Sequence, residues 1–276
     1  MKVENSLILK AALGYGADDA VIVSADNETK QSIIVLFSRY FVTPPAQKGY
    51  IALSPYYVAS NRGYMAARKL TEHLKSLGAA AKHDTDMSAK AAALKAGGYI
   101  GKNGFYFHSK FGSLVNIQTI VTDSAVPKAY PPGSSKCENC DTCIKVCPSG
   151  GVNDLQKCLR YHSNSLIPKK LRGDLYQLLG CERCQTACPQ NSDEQRPTQQ
   201  FRTDELLAGK HKAELKTLAG SNMARANRLL SQAALYAANT GQVSQIEQLR
   251  KLAETALSPT KEHALWAIEQ LEGEPP

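Results

Sequence analysis

The stretch "SSKCENCDTCIKVCPSGG", residues 134–151, decides how this chain is read. Four cysteines stand at the spacing C-x2-C-x2-C-x3-C, and a proline follows the last. All eight cysteines of the sequence fall between Cys137 and Cys188: this run, a lone Cys158 in "LQKCLRYH", and "CERCQTACP" with Cys181, Cys184 and Cys188. A disulfide framework would need an oxidising compartment, for which nothing in the sequence argues. Zinc favours two C-x2-C knuckles parted by a spacer, whereas three cysteines in succession let one loop reach three corners of an iron–sulfur cubane. The spacing therefore predicts iron–sulfur clusters.

The fourth cysteine of such a run, the one before proline, characteristically ligates the other cluster. Cys137, Cys140 and Cys143 then take one 4Fe-4S cluster and borrow Cys188, which has the same C-x3-C-P setting as Cys147. Cys147 joins Cys181 and Cys184 on the second cluster, and Cys158 is the one thiol left to complete it. Pro148 and Pro189 cannot continue a helical hydrogen-bond ladder and turn the chain away after each ligand. The usual two-cluster ferredoxin repeats the full four-cysteine run, so the remote Cys158 is a departure that narrows the family.

At 276 residues the chain can hold one large domain or two modest ones. No apolar run reaches bilayer length, and the opening "MKVENSLILKAALGYG" lacks the long apolar core and cleavage site of a signal peptide, so a soluble cytoplasmic protein is expected, away from membranes. Lys and Arg number 33 against 25 Asp and Glu, giving a formal charge of +8 and a pI near 9.0. That excess favours an anionic partner, nucleic acid or an acidic redox protein, although many soluble proteins carry as much and metal-bound thiolates would lower it.

Residues 1–133 read as alternating helix and strand. "NSLILKAALGYGA" is helical with Leu7, Leu9, Ala12 and Leu13 on its apolar side; "DAVIVSA" and "SIIVLFSRY" are apolar β-branched runs of the kind buried on both faces. "GYMAARKLTEHLKSLG" is a second amphipathic helix with Met65, Leu70, Leu74 and Leu77 inward. Past a short helix, "GGYIGKNGFYFHSKFGS" combines glycine turns with Lys102, Asn103, Tyr106 and His108, and strand alternation sends Tyr106 and His108 to one face and Phe105 and Phe107 to the other. It is a ligand-binding loop or a tight hairpin; it is neither a P-loop nor a dinucleotide fingerprint. "RYFVTPPAQKGYIALSPYYVASNRGY" is aromatic and basic, fit to stack on a planar group or to cover a core edge. Downstream, "NSDEQRPTQQFRTD" reads as a polar linker. Three helices follow, with stripes Met223, Ala226, Leu230, Ala233 and Ala237; Val243, Ile246, Leu249 and Ala253; and Leu265, Ile268 and Leu271. Ser258 and Pro259 read as N-cap and first helical residue of the last.

With cysteines, flanks and tail together, the chain resembles the epoxyqueuosine reductase family, cobalamin-dependent iron–sulfur enzymes that complete queuosine in tRNA. The resemblance rests on "SIIVLFSRY", "GGYIGKN" with Gly112 and Ser113 following, the cysteine set including Cys158, and a HEAT-like tail with "RANRLL" and "HALWAIEQL". It implies the ligand division given above and a cobalamin held by the α/β domain, with Lys102, Asn103, His108, Gly112 and Ser113 as the candidate cofactor-binding residues. The fold class expected is α+β: an α/β layered domain (1–133), a ferredoxin-like domain with two 4Fe-4S clusters (134–192), then a linker and short HEAT-like helices (193–276).

Three departures separate the chain from that pattern. Almost nothing lies between "VIVSADN" and "SIIVLFSRY", where the family has a segment that helps enclose its active site. Ser88 or Ala89 of "DMSAKAAALKAGG" stands where the family carries an acidic residue, leaving Asp86 and Tyr106 as substitute proton donors. The tail is shorter. Three functions are weighed: a cobalamin-dependent reductase of unassigned substrate; an electron-transfer protein reducing a partner such as a corrinoid protein; and a tRNA epoxyqueuosine reductase. Each needs an electron donor of ferredoxin or flavodoxin type.

Overall fold

The computed structural model describes residues 3–25, 31–163 and 165–273. The junction at which the enclosing segment is missing falls on residues 26–30, outside the described residues. In chain order the elements are α1 (Asn5–Gly14), β1 (Asp19–Ser24), β2 (Ser32–Arg39), β3 (Tyr50–Ala52), α2 (Pro55–Ser76), β4 (Ala81–Asp84), α3 (Ala89–Leu94), β5 (Tyr99–Ile100), β6 (Tyr106–Phe107) and β7 (Val115–Thr122). Short helices α4 (Thr142–Lys145), α5 (Leu159–His162), α6 (Lys169–Arg172) and α7 (Arg183–Thr186) carry the cysteine region. Then come β8 (Gln200–Arg202), α8 (Thr203–Leu207), α9 (Lys212–Ala219), α10 (Ala226–Asn239), α11 (Ile246–Thr255) and α12 (Thr260–Glu272). No helix among the described residues is long and apolar enough to cross a membrane.

The chain divides into two compact units. One comprises residues 1–41, 58–141 and 188–192; the other comprises 42–57, 142–187 and 193–276. Both draw on the cysteine segment 134–192.

The first unit is a mixed α/β layer built on an antiparallel sheet of order β1-β2-β7-β4. The central strand β2 is apolar at successive positions because both of its faces are covered. Ile34 and Leu36 point to one side with Ile8, Ala12, Leu70, Leu74 and Ile120. Ile33, Val35 and Phe37 point to the other with Ala92, Ala93, Tyr106 and Val115. Each fully buried large apolar side chain contributes about 1.5–3 kcal/mol, so this strand is the main stabilising element of the unit.

Several helix faces differ from expectation. In α1 the buried pair is Ile8 and Ala12, and Leu7 (58% exposed) and Leu13 lie outside, because the contact is one narrow i, i+4 ridge. The second helix starts at Pro55, a favoured first-turn position, and not near Gly63. Its buried face is made of Ala59, Gly63, Ala66, Ala67, Leu70 and Leu74, which let it lie close on the sheet and leave Met65 and Leu77 exposed.

In the second unit β3 and β8 form an antiparallel pair, with Ile51 opposite Phe201, so the expected linker contains a strand. Helix α10 packs on α8 and α12, and α11 on α12. The face of α10 runs through Leu229, Ala233 and Ala237; Ala226 is exposed and Met223 precedes the helix. Val243 is exposed in a turn before α11, which buries Leu249, Leu252 and Ala253. In α12 the face is rotated by one position to Thr260, His263, Ala264 and Ala267, leaving Leu265 outside, because two alanines permit a close approach to α10 that leucine would prevent. That helix begins at Thr260, and Ser258 bonds the Glu262 carboxylate instead of capping backbone.

Candidate functional site

All eight cysteines are free thiols, Cys143 buried and the others partly buried. In the first unit, the turn after β5 meets three of them. Tyr99 lies close enough to Cys137 and Cys188 to feel their charge, its hydroxyl pushed up by burial and by those two thiols. Lys102 donates to Asp141 at 2.8 Å, which raises its pKa, and lies in the field of Cys137 and Cys140. It also donates to the Glu138 carbonyl at 3.3 Å.

In the second unit, α4 packs on α7, which brings the turn of Cys143 and Cys147 to that of Cys184. Burial pushes the Cys184 thiol up to about 12, with Cys181, Cys158, Cys147 and Cys143 adding to it in that order. Cys181 is pushed up to about 11, again by burial first, with Cys158 contributing. The four thiols assigned to the second cluster therefore interact in one place. Cys147 is the exception in sign: burial opposes its ionisation, but the Ser149 hydroxyl and the N–H groups of Val152, Ser149 and Gly151 bring its pKa below the usual range. The Gly151 N–H donates to the Cys147 sulfur at 3.1 Å. Such donors stabilise a thiolate and tune whatever it binds.

Two devices bring the remote Cys158 into place. A Cβ on Gly151 would lie 2.6 Å from the Cys158 Cα and 2.9 Å from its nitrogen, so glycine is needed for the loop after Cys147 to lie against the Cys158 backbone. Ser149 donates to the Lys157 carbonyl at 2.6 Å and locks the same contact. On the other side Glu182, between Cys181 and Cys184, is buried and accepts the Ser54 hydroxyl at 2.5 Å, with Arg160 adding attraction. Burial pushes the Glu182 carboxyl up, and these partners oppose that. Arg160, two residues after Cys158, stacks on Tyr56 at 3.9 Å. Neither Glu182 nor Arg160 stood out in the sequence; Glu182 occupies a variable position of C-x2-C, and nothing local marks its partner.

The thiols suit iron–sulfur clusters. Among the described residues no three Cys, His, Asp or Glu side chains converge on a single-ion site, whereas a cubane gives each thiolate its own iron and takes a wider ring. The five candidate corrinoid residues are placed differently. Lys102 is held by Asp141. Asn103 accepts the Phe105 N–H at 3.2 Å. Gly112, at φ +59°, has Asn191 Oδ1 2.2 Å from where a Cβ would stand, and Asn191 also accepts from the Ser113 N–H at 2.7 Å. His108 is buried between Phe37 and Phe111, with ring centroids at 4.5 and 4.8 Å. Its Nδ1 accepts the Lys110 N–H and its Nε2 lies 3.6 Å from Asp19. Burial lowers the His108 pKa, Asp19 opposing and Lys110 assisting. Each of these residues makes contacts within the chain itself.

The substitute proton donors are also accounted for. Tyr106 stacks on Phe37 and donates to the Gly97 carbonyl at 2.8 Å; burial pushes its pKa up to about 12, Asp19 adding to it. Its alternation with Phe107, which stacks on Tyr99, follows the sequence reading. Asp86 has an 87% exposed side chain, 3.9 Å from Lys82. Asp84 accepts the Asp86 and Met87 N–H groups and is held ionised by them, and lines an open hollow of about 680 Å³ with Met87, Lys82 and Thr122. Ser88 caps α3 by accepting the Ala91 N–H. The aromatic and basic stretch is likewise engaged: Arg62 pairs with Asp18 at 2.5 Å, and Tyr64 packs on His83.

This mixed α/β fold is shared with solved structures of epoxyqueuosine reductases. Epoxyqueuosine reductase from Bacillus subtilis, in a state with its catalytic loop swung out of the active site, aligns over 96% of this chain and 90% of its own with a TM-score of 0.78 at 19% identity. An epoxyqueuosine reductase crystallised with an epoxyqueuosine-modified tRNA-Tyr stem loop gives 0.76, over 97% of this chain and 90% of that one, also at 19% identity. No family model matches. Among sequence relatives, epoxyqueuosine reductase of Synechocystis sp. is 30% identical over 241 residues, 75% of this chain and 81% of the relative. The chain therefore belongs to the epoxyqueuosine reductase family. Its match to the Bacillus anthracis member, 31% identical over 132 residues, takes in 44% of this chain and about a third of that protein's length.

Proposed function

We propose that this chain is an iron–sulfur reductase of that family. Cys137, Cys140, Cys143 and Cys188 hold one 4Fe-4S cluster, and Cys147, Cys158, Cys181 and Cys184 the other. Electrons from a ferredoxin or flavodoxin type donor would be stored singly by the clusters, and a cobalamin, where bound, would supply the cobalt through which a substrate is reduced. The observation that carries the reading is the mutual interaction of Cys184 with Cys181, Cys158 and Cys147 inside one compact unit. When bound, the clusters supply one-electron storage and the corrinoid a low-valent cobalt. The chain's own contribution is positional: Gly151 and Ser149 hold Cys158 against the Cys147 loop, the Glu182 and Arg160 contacts hold it to the Cys181 loop, and N–H donors stabilise the Cys147 thiolate. Because Lys102, Gly112 and Ser113 are engaged by Asp141 and Asn191, no step is assigned to the corrinoid.

That engagement favours a second reading, an electron-transfer protein that reduces a partner, such as a corrinoid protein. The third reading, reduction of epoxyqueuosine in tRNA, draws on the relatives' activity and the charge of +8. The division into an α/β part (1–133), a ferredoxin-like cluster part (134–192) and a HEAT-like tail (193–276) belongs to the same proposal. The test is anaerobic reconstitution with iron and sulfide, followed by cobalamin titration under absorption and electron paramagnetic resonance. About eight irons per chain and a perturbed cob(II)alamin signal support the reductase. About eight irons without corrinoid binding favours the electron carrier; about four, or bound zinc, overturns the ligand assignment.

A further inference from the structure

The second unit contains a small polar cavity away from the sequence-predicted site residues. It holds about 40 Å³ and is lined by Ser163, Ser165, Arg225, Arg228 and His263 among others, with no acidic residue in its wall. Three independent features converge there. His263 is fully buried, and its Nε2 accepts the Ile167 N–H at 3.0 Å, so in the neutral ring the proton sits on Nδ1. That Nδ1 has no hydrogen-bond partner. A buried polar group left without a partner is destabilising, so a ligand that supplies the acceptor is favoured.

The two arginines make the second feature. Arg228 donates from one terminal nitrogen to the Asn222 carbonyl at 2.8 Å, while its Nε is buried without a partner. Burial lowers its pKa, Tyr57 opposes that and Arg225 lowers it further, so two guanidinium charges stand near one another, and neither has a carboxylate partner among the described residues. The third feature is the start of α10, a helix of 14 residues with Arg225 as N-cap, no side-chain cap hydrogen bond and no acidic residue in the first turn. A helix N-terminus carries about half a positive charge, and its free N–H groups favour an anion.

We propose that this cavity binds an oxyanion of the phosphate class, accepting from His263 Nδ1–H, Arg228 Nε–H and the Arg225 guanidinium. Its volume exceeds what one water needs, about 10–15 Å³, and its donors are in excess of its acceptors. The ligand is either free phosphate or a backbone phosphate of RNA; the latter rests on the family's action on tRNA, the former does not.

The test uses the full chain, purified without oxygen and with its iron measured in every sample, so a failure of the cluster assignment shows separately. Calorimetric titration with sodium phosphate is expected to show millimolar or tighter binding that Arg225→Gln weakens about tenfold or more. Arg225 is exposed, so that variant leaves the core intact. In the wild-type chain, ¹⁵N spectra of the imidazoles should place the His263 proton on Nδ1 and show it shifting as phosphate is added. An RNA stem loop competing with phosphate, with a salt slope reduced by about one in Arg225→Gln, assigns the site to RNA; phosphate binding without competition assigns it to the free ion. Absence of phosphate binding, or binding equal in Arg225→Gln with an unmoved His263 signal, overturns the proposal.

Discussion

Replacing Gly151 by alanine should remove one cluster and spare the other. The new Cβ would stand 2.6 Å from the Cys158 Cα, 2.9 Å from its nitrogen and 3.0 Å from its Cβ. Two of those three atoms are backbone, so no side-chain rotation relieves the contact, and Cys158 must retreat by about 0.8 Å to reach ordinary separation. Overpacking of this kind costs ~1–3 kcal/mol. At about 2–4 °C per kcal/mol the melting temperature falls by several degrees and the chain stays folded. The consequence for the metal is larger, because metal–ligand distances hold within about 0.2 Å and a displaced thiolate cannot follow its iron. Iron per chain should drop from about eight to about four, with the reduced protein showing one paramagnetic centre. Gly173→Ala is the control, since a Cβ there meets nothing within 4 Å. Full iron and an unchanged spectrum in Gly151→Ala would refute the argument; equal loss of both clusters would refute the division of ligands.

Cys158→Ser should likewise leave about four irons, and a protein with all its iron would remove Cys158 from the ligand set. Ser54→Ala takes a donor from the buried Glu182 and should lower stability by ~1–3 kcal/mol in urea titrations, with no effect expected only if that carboxyl is already fully served elsewhere. Burial, with Arg172 assisting, holds His263 down to about 4 against 6.5 for the free side chain, so the unfolded chain binds that proton first. About 3 kcal/mol of stability, present above pH 6.5, should disappear as pH falls to about 4, a slope that His263→Gln abolishes. Turnover of epoxyqueuosine-containing tRNA, assayed with strong reductant and cobalamin, should be about a hundredfold or more below that of relatives with a general acid; robust turnover, lost in Asp86→Asn or Tyr106→Phe, would name the acid.

What the sequence made legible was whatever depends on spacing along the chain. The apolar run of β2 had to be a doubly covered strand, since five successive apolar residues, Ile33 to Phe37, allow no solvent face, and all five are buried. The cysteine intervals likewise argue for a cubane over zinc before any fold is known. Helix faces were less legible because these helices pack through small residues. Alanine is weak in a hydrophobic pattern, so Leu265 outweighs Ala264 and Ala267 on paper, and yet the alanines set the approach to α10. The same bias selected Leu7, Leu13, Met65 and Leu77 as core, all of them exposed. The strand Gln200–Arg202 was hidden in a polar stretch because its stability comes from pairing with Tyr50–Ala52, about 150 residues away.

Proton supply shows the same limit at the site. Four side chains near the expected acid position carry ionisable or hydroxyl groups, and a sequence ranks them by distance from Ser88 alone. In the fold, each of three is engaged in local structure: Asp84 and Ser88 accept N–H groups of their own turns, and Tyr106 gives its proton to Gly97. Ionisation of Asp84 is favoured by those bonds, which is the wrong direction for an acid, and Tyr106 at about 12 is too weak to give up a proton readily near neutral pH. Asp86, at 87% exposure, stands in solvent 3.9 Å from Lys82 and touches no pocket that would hold a substrate against it. Local turn chemistry has therefore taken up the residues that proximity would nominate, so protonation of a substrate must come from water, from the substrate itself, or from a residue brought in when the loop after Asp84 changes shape.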